Sequence, residues 1–197
     1  MRILIDTNVI LDVLLKRSPF YETAIEVLKL SARDDIQEFV SASAITDIYY
    51  IAYKNLRDKA AVRELLKKLL LIVSVAGVSE EEIQKALELE WNDFEDSVQY
   101  SVAALNEMDG IITRNVKDYS SAEMQVWEPA QFLEKQSADL LTLLITLKRR
   151  CAEPSCFSRF ADLNSGSIPV CGMILSERNV VKSTFLLFFV IKYFDYT

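Results

Sequence analysis

The sequence predicts an α/β protein in which helices pack against a mainly parallel sheet. Short apolar runs, such as residues 2–5, alternate along the chain with longer segments of helical periodicity. Only 4 glycines and 4 prolines occur in 197 residues, which disfavours a turn-rich all-β protein. Because 51% of the residues are hydrophobic, the chain can also form a packed core of ordinary domain size.

Each predicted element has a local signal. Apolar runs predict strands over residues 2–5, 38–41, 71–75, 110–113 and 124–127. Amphipathic segments predict helices over residues 9–15, 21–31, 43–54, 58–70, 79–90, 93–106 and 128–133. In the third helix, Ile45, Ile48 and Ala52 follow the three- and four-residue spacing of one helix face. Ser79 and Glu82 have the spacing of a capping box, which marks the start of the fifth helix.

Composition excludes several classes of site. Histidine is absent, which excludes a Ser-His-Asp triad, a histidine general base and a histidine-ligated zinc. The net charge of −7 argues against a broad basic face for nucleic acid. The three cysteines have no CxxC spacing, so we expect a reduced, cytoplasmic location. No segment has 18 uncharged apolar residues, so we expect no membrane partner.

Polar residues follow the predicted strands or open the helices behind them. These positions are Asp6, Asp47, Glu95, Asp96, Asn115 and Asp118. Any one of them alone is more simply a helix cap or a partner of the helix dipole, and Asp12, Asp58 and Asp109 have only that interpretation. The carboxyl ends of parallel strands meet at one sheet edge, so the set predicts a carboxylate cluster there. Oxygen ligands without His or Cys suit Mg²⁺ or Mn²⁺, which can activate water for phosphodiester hydrolysis.

Four blocks of the sequence resemble the signature blocks of the PIN domain, in particular bacterial VapC-like toxins. They read ILIDTNVILD, SAITDIYYIAYK, DFEDSVQYSVA and IITRNVKDY, and the resemblance spans about residues 2–134. It implies a three-layer α/β/α sandwich and a ribonuclease dependent on Mg²⁺ or Mn²⁺. It also implies an RNA substrate, a homodimer, and a protein antitoxin that inserts into the acidic cleft.

The resemblance also assigns site residues. The catalytic positions are Asp6, Asp47, Asp96 and Asn115; metal ligands are Asp6, Asp96 and Asp118; supporting residues are Asn8, Glu95, Thr113 and Arg114. Asp47 is one methylene shorter than the glutamate frequent in the family, and Asn115 stands where an aspartate is frequent. Arg114 next to the site is either a phosphate contact or a solvated side chain.

Two alternatives remain. Phosphoryl transfer of the receiver or haloacid-dehalogenase type also places an Asp after the first strand, but the haloacid-dehalogenase motif requires an Asp where this chain has Asn8. A PIN fold that has lost catalysis and serves as a binding or scaffold module is the second alternative, because of Asp47 and Asn115.

A change of composition predicts two segments. Residues 1–135 carry a net charge of −9, and residues 136–197 carry +2. The second segment holds all three cysteines, Cys151, Cys156 and Cys171, and has no clear helical periodicity after Leu147. We therefore predict a PIN-like domain over residues 1–135 and an extension over 136–197 for which the sequence predicts no fold.

Overall fold

A five-stranded sheet organises the structure, a computed structural model that describes residues 1–138 and Thr142. The strands are β1 (Arg2–Ile5), β2 (Gln37–Ser41), β3 (Ser74–Ala76), β4 (Gly110–Ile112) and β5 (Gln125–Trp127). All neighbouring pairs are parallel, and the order across the sheet is β3-β2-β1-β4-β5. The first strand is therefore central, and its carboxyl end lies in the middle of one sheet edge.

Six helices have bounds close to the predicted ones. They are α1 (Thr7–Leu14), α2 (Tyr21–Lys29), α3 (Ala42–Leu56), α4 (Lys59–Leu69), α5 (Glu80–Glu88) and α6 (Phe94–Leu105), with short 3₁₀ turns at Leu30–Ala32 and Val116–Tyr119. Residues 129–138 are also helical. Side chains of Ser41, Asp58 and Asp93 accept backbone N–H groups at the starts of α3, α4 and α6. The capping box of Ser79 and Glu82 is present at α5, as predicted.

The helices cover both faces of the sheet, because alternate strand residues point to opposite sides. Ile3 and Ile5 pack into a core with residues of α1–α4, whereas Leu4 packs into a second core with residues of α5 and α6. Both cores are fully shielded at these strand positions. This arrangement confirms the predicted three-layer sandwich with a parallel central sheet.

Gly110 allows β4 and β5 to approach closely. A Cβ atom at this position would collide with the indole of Trp127 and the carbonyl oxygen of Gln125. Residue 110 pairs with Gln125 and, on the other side, with Ile3 of β1. Any larger residue would therefore displace β5 from the strand that leads into the candidate site.

The third strand begins later than predicted. The apolar run at 71–75 predicts a strand there, but the chain turns after α4 and the strand starts at Ser74. Leu71 is 66% exposed, and the backbone N–H groups of Leu71 and Ile72 bond back to the last turn of α4. The apolar run thus joins a helix end to a short strand, and its periodicity alone could not separate the two.

The terminal helical stretch runs past the predicted boundary at 135. Gln136 is buried, and its side-chain amide lies 3.7 Å from the sulfur of Met1. The remainder of the predicted extension, with its three cysteines, lies outside the described residues apart from Thr142. Within residues 1–138, no helix is long and apolar enough to cross a membrane.

Candidate active site

Asp6 lies at the centre of the candidate site, immediately after β1. It occupies the N-cap position of α1 but forms no capping hydrogen bond with its side chain. One carboxylate oxygen accepts a hydrogen bond from Gln99 Nε2 at 3.0 Å, and the other accepts one from Thr113 Oγ1 at 2.8 Å. With 2% of its surface exposed, Asp6 is a buried acid fixed by two elements far away in sequence. The simple capping interpretation does not describe it.

The first turn of α6 supplies two more carboxylates. Glu95 Oε1 accepts a hydrogen bond from Thr7 Oγ1 at 2.7 Å, which joins α6 to the start of α1. Asp96 Oδ1 accepts one from the hydroxyl of Tyr119 at 2.9 Å. Gln99, one helical turn later, is fully buried, and its Nε2 also lies 3.5 Å from Glu95 Oε1. Glu95 and Asp96 are thus held by different partners, each on a different element.

The charges of these acids act on one another. Burial raises the pKa of Asp96 to about 7, and the nearby charges of Asp6, Asp93 and Asp118 add to the increase, while the Tyr119 hydrogen bond opposes it. Burial also raises the pKa of Asp6, against the hydrogen bonds from Gln99 and Thr113. The clustering of carboxylates at one sheet edge, expected from strand topology, is therefore visible in their electrostatics.

Four other predicted residues lie on α1, on α3 and in the segment after β4. Burial raises the pKa of Glu95, and the charge of Asp47 on α3 adds to the increase. Asp118 acts in the same way on Asp96. The backbone N–H of Asn115 donates to Thr113 Oγ1 at 3.0 Å, although the Asn115 residue itself is exposed. Asn8 is half-buried in the first turn of α1.

The donor set fits a divalent cation in chemistry. Asp6, Glu95 and Asp96 offer only oxygen ligands. Burial is the main cause that raises their pKa values, and the charge of Asp6 adds to the increase at Glu95 and Asp96, so a bound cation would stabilise the charged carboxylates. Among residues 1–138 and Thr142, no three acidic side chains are gathered into a ready-made cage. Glu95 is directed to Thr7 and Asp96 to Tyr119, so the ligands are held apart by separate hydrogen bonds.

Sequence reasoning missed three polar partners. Gln99 is the best detectable of them, since it lies four residues after Glu95 and so shares its helix face. Thr7 follows Asp6 directly, but its pairing with Glu95 depends on how α1 meets α6. Tyr119 has no local signal, because only the 3₁₀ turn after β4 brings its hydroxyl to Asp96.

Asp12 contradicts its predicted role as a cap. It lies inside α1, is fully buried, and has the side chains of Arg17 and Arg114 beside it. The periodicity of α1 could not show this, because the two arginines come from a loop and from the segment after β4. Asp58 caps α4 as predicted, whereas Asp109 is not a helix cap: it precedes β4 and accepts the backbone N–H of Arg2 in β1.

Comparison with known proteins identifies the family. The family model described as PIN domain matches residues 2–117, more than half of the chain. The chain belongs to the PIN domain family. This confirms the resemblance found in the four sequence blocks and the fold that it implies.

Relatives of this PIN-domain chain include ribonuclease VapC1 of Aquifex aeolicus, which is 26% identical over 139 residues, or 68% of this chain and 94% of that protein. Among solved structures, VapBC2 of Rickettsia felis, bound to a DNA fragment from its promoter, superposes with a TM-score of 0.54 at 15% identity. It covers 65% of this chain and 98% of its own. VapBC-1 of nontypeable Haemophilus influenzae superposes with a TM-score of 0.52 at 19% identity, and the match covers 66% of this chain and 99% of that one. At these identities the superpositions establish the fold.

Proposed function

We propose that this PIN-domain protein is a metal-dependent endoribonuclease that hydrolyses RNA phosphodiesters, and that it is the toxin component of a toxin–antitoxin pair. The observation that carries this proposal is the hydrogen-bond network at the starts of α1 and α6: a polar side chain is directed at each of the carboxylates of Asp6, Glu95 and Asp96, and the charge of Asp6 acts on the other two. Membership of the PIN family and the likeness to a protein named as a ribonuclease support the same conclusion.

Asp6 and Asp96 are the proposed metal ligands, with Asp118 as a third. Mg²⁺ or Mn²⁺ bound to such oxygen ligands activates a water molecule and stabilises the leaving oxygen of a phosphodiester. Asp47 and Asn115 complete the proposed catalytic set from α3 and from the segment after β4. Histidine is absent, so no imidazole can act as the acid-base group, and burial raises the pKa of the Asp96 carboxyl to about 7.

The remaining polar residues hold these carboxylates in place. Thr113 and Gln99 donate to the two oxygens of Asp6 and so fix the plane of its carboxylate. Thr7 donates to one oxygen of Glu95, and Tyr119 donates to one oxygen of Asp96. Donors that orient ligands from behind typically affect metal affinity or activity by about 10–100-fold.

The expected partners follow from the same family. An antitoxin that enters the acidic cleft would provide cationic groups for the carboxylates of Asp6, Glu95 and Asp96. Two of the solved structures with this fold are of VapBC proteins, which supports a complex of this kind. A homodimer and a cytoplasmic location are the other parts of this proposal.

RNA cleavage tests the activity directly. The full chain is incubated with a fluorescently labelled single-stranded RNA in Mn²⁺, in Mg²⁺ and in EDTA, and the products are separated on a gel. We expect cleavage with either metal, none with EDTA, and none by Asp96→Asn. Asp34→Asn, which changes an exposed loop acid, is the matched control and should cleave like the wild type. Cleavage that persists in EDTA or in Asp96→Asn would exclude the proposed site.

A binding module without catalysis is the second candidate. Two observations favour it: the exposed amide Asn115 where a carboxylate is frequent in the family, and the lack of a ready-made cage of three acids in residues 1–138. In the same assay, this candidate predicts RNA that is bound by the protein but stays intact in both metals.

The domain division is a proposal as well. Phe132 is fully buried and its ring packs on Trp127 at 5.3 Å between centroids, so the helical stretch 129–138 belongs with the sandwich. A chain ending after Ala138 should therefore keep a cooperative thermal transition and the metal-dependent cleavage. Aggregation or loss of that transition would show that residues 139–197 are needed for the fold.

A further inference from the structure

Asp12 is a buried carboxylate outside the proposed acid cluster of Asp6, Glu95 and Asp96. It lies inside α1, is fully shielded, and neither of its oxygens accepts a hydrogen bond from the part of the chain that the structure describes. Two arginines compensate its charge: Arg114 Nε lies 3.3 Å from Oδ2, and Arg17 Nη1 lies 3.9 Å from Oδ1. Burial nevertheless raises the pKa of Asp12, and the charge of Asp6 adds to the increase.

Stability alone does not account for this arrangement. Replacing buried ion pairs by apolar residues of similar size is often neutral or stabilising. The neighbours of Asp12 along α1, Leu11 and Val13, are buried and apolar, so an apolar residue would suit the position. What the carboxylate does instead is hold the side chains of Arg17 and Arg114 beside itself, on the helix that begins at Asp6.

Arg114 is held on a second side by an aromatic ring. Its guanidinium carbon lies 4.3 Å from the centroid of Phe20, which is 42% exposed. Its Nε faces Asp12, and its terminal amino groups form no hydrogen bond with any described residue. The side chain is 23% exposed, so those amino groups belong to a guanidinium that solvent can reach in part.

Position in the chain ties this arginine to the acid cluster. Arg114 stands between Thr113, whose hydroxyl donates to Asp6, and Asn115, whose N–H donates to Thr113. RNA approaching the carboxylates meets strong negative potential there, and a fixed guanidinium beside them would offset it. The planar fork of arginine matches two oxygens of one phosphate, a geometry that lysine does not provide.

We propose that Asp12 and Phe20 hold the Arg114 guanidinium beside the acid cluster as a binding site for a backbone phosphate of RNA. In this arrangement Arg114 contacts the substrate, and Asp12 is a positioning residue that acts through it. The inference rests on the proposed ribonuclease function and adds a substrate contact outside the metal ligands. An acidic protein segment is the other polyanion that such a site would accept. RNA is favoured because the proposed metal ligands beside the site act on a phosphodiester, whereas they would only repel an acidic peptide.

RNA binding at several salt concentrations tests the proposal. The probe is a 12-nucleotide single-stranded RNA with a 5′ fluorescein, measured by anisotropy with the full chain in Ca²⁺, and a gel confirms that the RNA stays intact. We expect Arg114→Gln to weaken binding roughly tenfold, as for a charge-assisted contact. Loss of one phosphate contact should also lower the slope of log K against log salt by about 0.7. Arg63→Gln removes the same charge from an exposed position of α4 and should change neither value.

The sign of the effect at Asp12 separates positioning from simple charge. Asp12→Asn removes a negative charge near the RNA, so a general electrostatic effect would tighten binding, whereas loss of positioning weakens it. We expect weaker binding by roughly threefold, and no further loss when Asp12→Asn is added to Arg114→Gln. The control Asp34→Asn should leave binding unchanged or slightly tighter.

Each outcome bears on the proposal. Binding by Asp12→Asn that equals or exceeds that of the wild type overturns the positioning role, and an unchanged salt slope in Arg114→Gln overturns the phosphate contact. If Asp12→Asn loses its thermal transition, Arg114→Lys decides instead: a raised KM with an unchanged kcat supports the fork contact, and unchanged values of both refute it. A wild type that binds but never cleaves RNA would refute the proposed ribonuclease, and the binding and salt-slope measurements would still test the phosphate contact. If Arg114→Gln weakens the binding of polyglutamate but not the binding of RNA, the site would be assigned to a protein partner.

Discussion

Two buried carboxylates, one directly after β1 and one within the neighbouring strand β2, differ in their hydrogen-bond partners. Asp6 follows the end of β1, and Glu38 lies within β2, where it pairs in register with Ile3. Each is 2% exposed, and burial raises the pKa of both. Asp6 accepts hydrogen bonds from Gln99 and Thr113, whereas Glu38 accepts none from the described residues. The difference teaches that burial of an acid does not by itself mark a functional site.

What distinguishes Asp6 is an arrangement of partners from several elements. Its donors come from α6 and from the end of β4, and Glu95 and Asp96 lie nearby on the first turn of α6. Glu38 has no hydrogen-bond partner among the described residues, so the desolvation that raises its pKa is not offset there. Substitutions at these two acids and at their partners should therefore affect different properties: activity at Asp6, and stability at Glu38.

The largest expected effect is on catalysis at Asp6. Asp6→Asn removes one charge from the proposed metal ligands and should lower the RNA cleavage rate by about 10²–10⁴-fold. The fold should survive, because one fewer charge reduces the repulsion from Glu95 and Asp96. Cleavage rates in Mn²⁺ and thermal melts are the measurements. Wild-type activity in this variant would assign cleavage to another site or to a contaminant.

A smaller loss is expected at Gln99, which orients Asp6. Gln99→Met keeps the volume but removes the donor to Asp6 Oδ1, and we expect about a 10–100-fold increase in the Mn²⁺ concentration that gives half-maximal cleavage. Gln84→Met, at an exposed position of α5, makes the same substitution away from the partners of Asp6 and is the control. An unchanged metal requirement would mean that Thr113 alone fixes the Asp6 carboxylate.

At Glu38 we expect a gain in stability. The raised pKa of Glu38 means that folding favours its neutral form. The free energy of unfolding is therefore not reduced by Glu38 ionisation below the unfolded pKa near 4.5, and it falls as pH rises from there through the folded pKa. Glu38→Met should therefore raise the free energy of unfolding at pH 8 by about 1–3 kcal/mol, and by less at pH 4.5. Urea unfolding at the two pH values measures this difference. Glu38→Gln should remove the pH dependence while keeping a polar group in the core, and a Glu38→Met variant less stable at pH 8 would contradict the account.

The smallest expected effect on stability concerns Glu82, whose carboxylate accepts hydrogen bonds from the backbone N–H and the hydroxyl of Ser79. Hydrogen bonds from Ser79 hold the pKa of Glu82 below its usual range, so this contribution is present above the unfolded pKa and lost as pH falls. Ser79→Ala should cost about 1 kcal/mol near neutral pH and less in acid, a pH dependence opposite to that of Glu38. Urea unfolding checks it, and RNA cleavage should not change. A cost independent of pH would show that the hydroxyl cap acts without Glu82.

Local patterns were sufficient for most of the architecture. Apolar runs predicted β1 and β4, the spacing of Ile45, Ile48 and Ala52 predicted α3, and the capping box predicted the start of α5. These signals work because strands and helices impose their own periodicity on burial. The strand at 71–75 is the instructive failure, since the same apolar residues serve a helix end and a strand start.

The sequence by itself determined the fold class and the PIN family, and it predicted acids at strand ends and helix starts, because these are local features that parallel strand order brings to one sheet edge. Only the tertiary structure decided which partners hold them. Gln99 and Tyr119 reach Asp6 and Asp96 from 93 and 23 residues away, so no local pattern predicts these bonds. The resemblance assigned Thr113 a supporting role, and the structure shows that its hydroxyl donates to Asp6. Asp12 likewise became a partner of Arg114 only when α1 packed beside the end of β4, since the pairing depends on the distance between side chains and not on their separation in sequence.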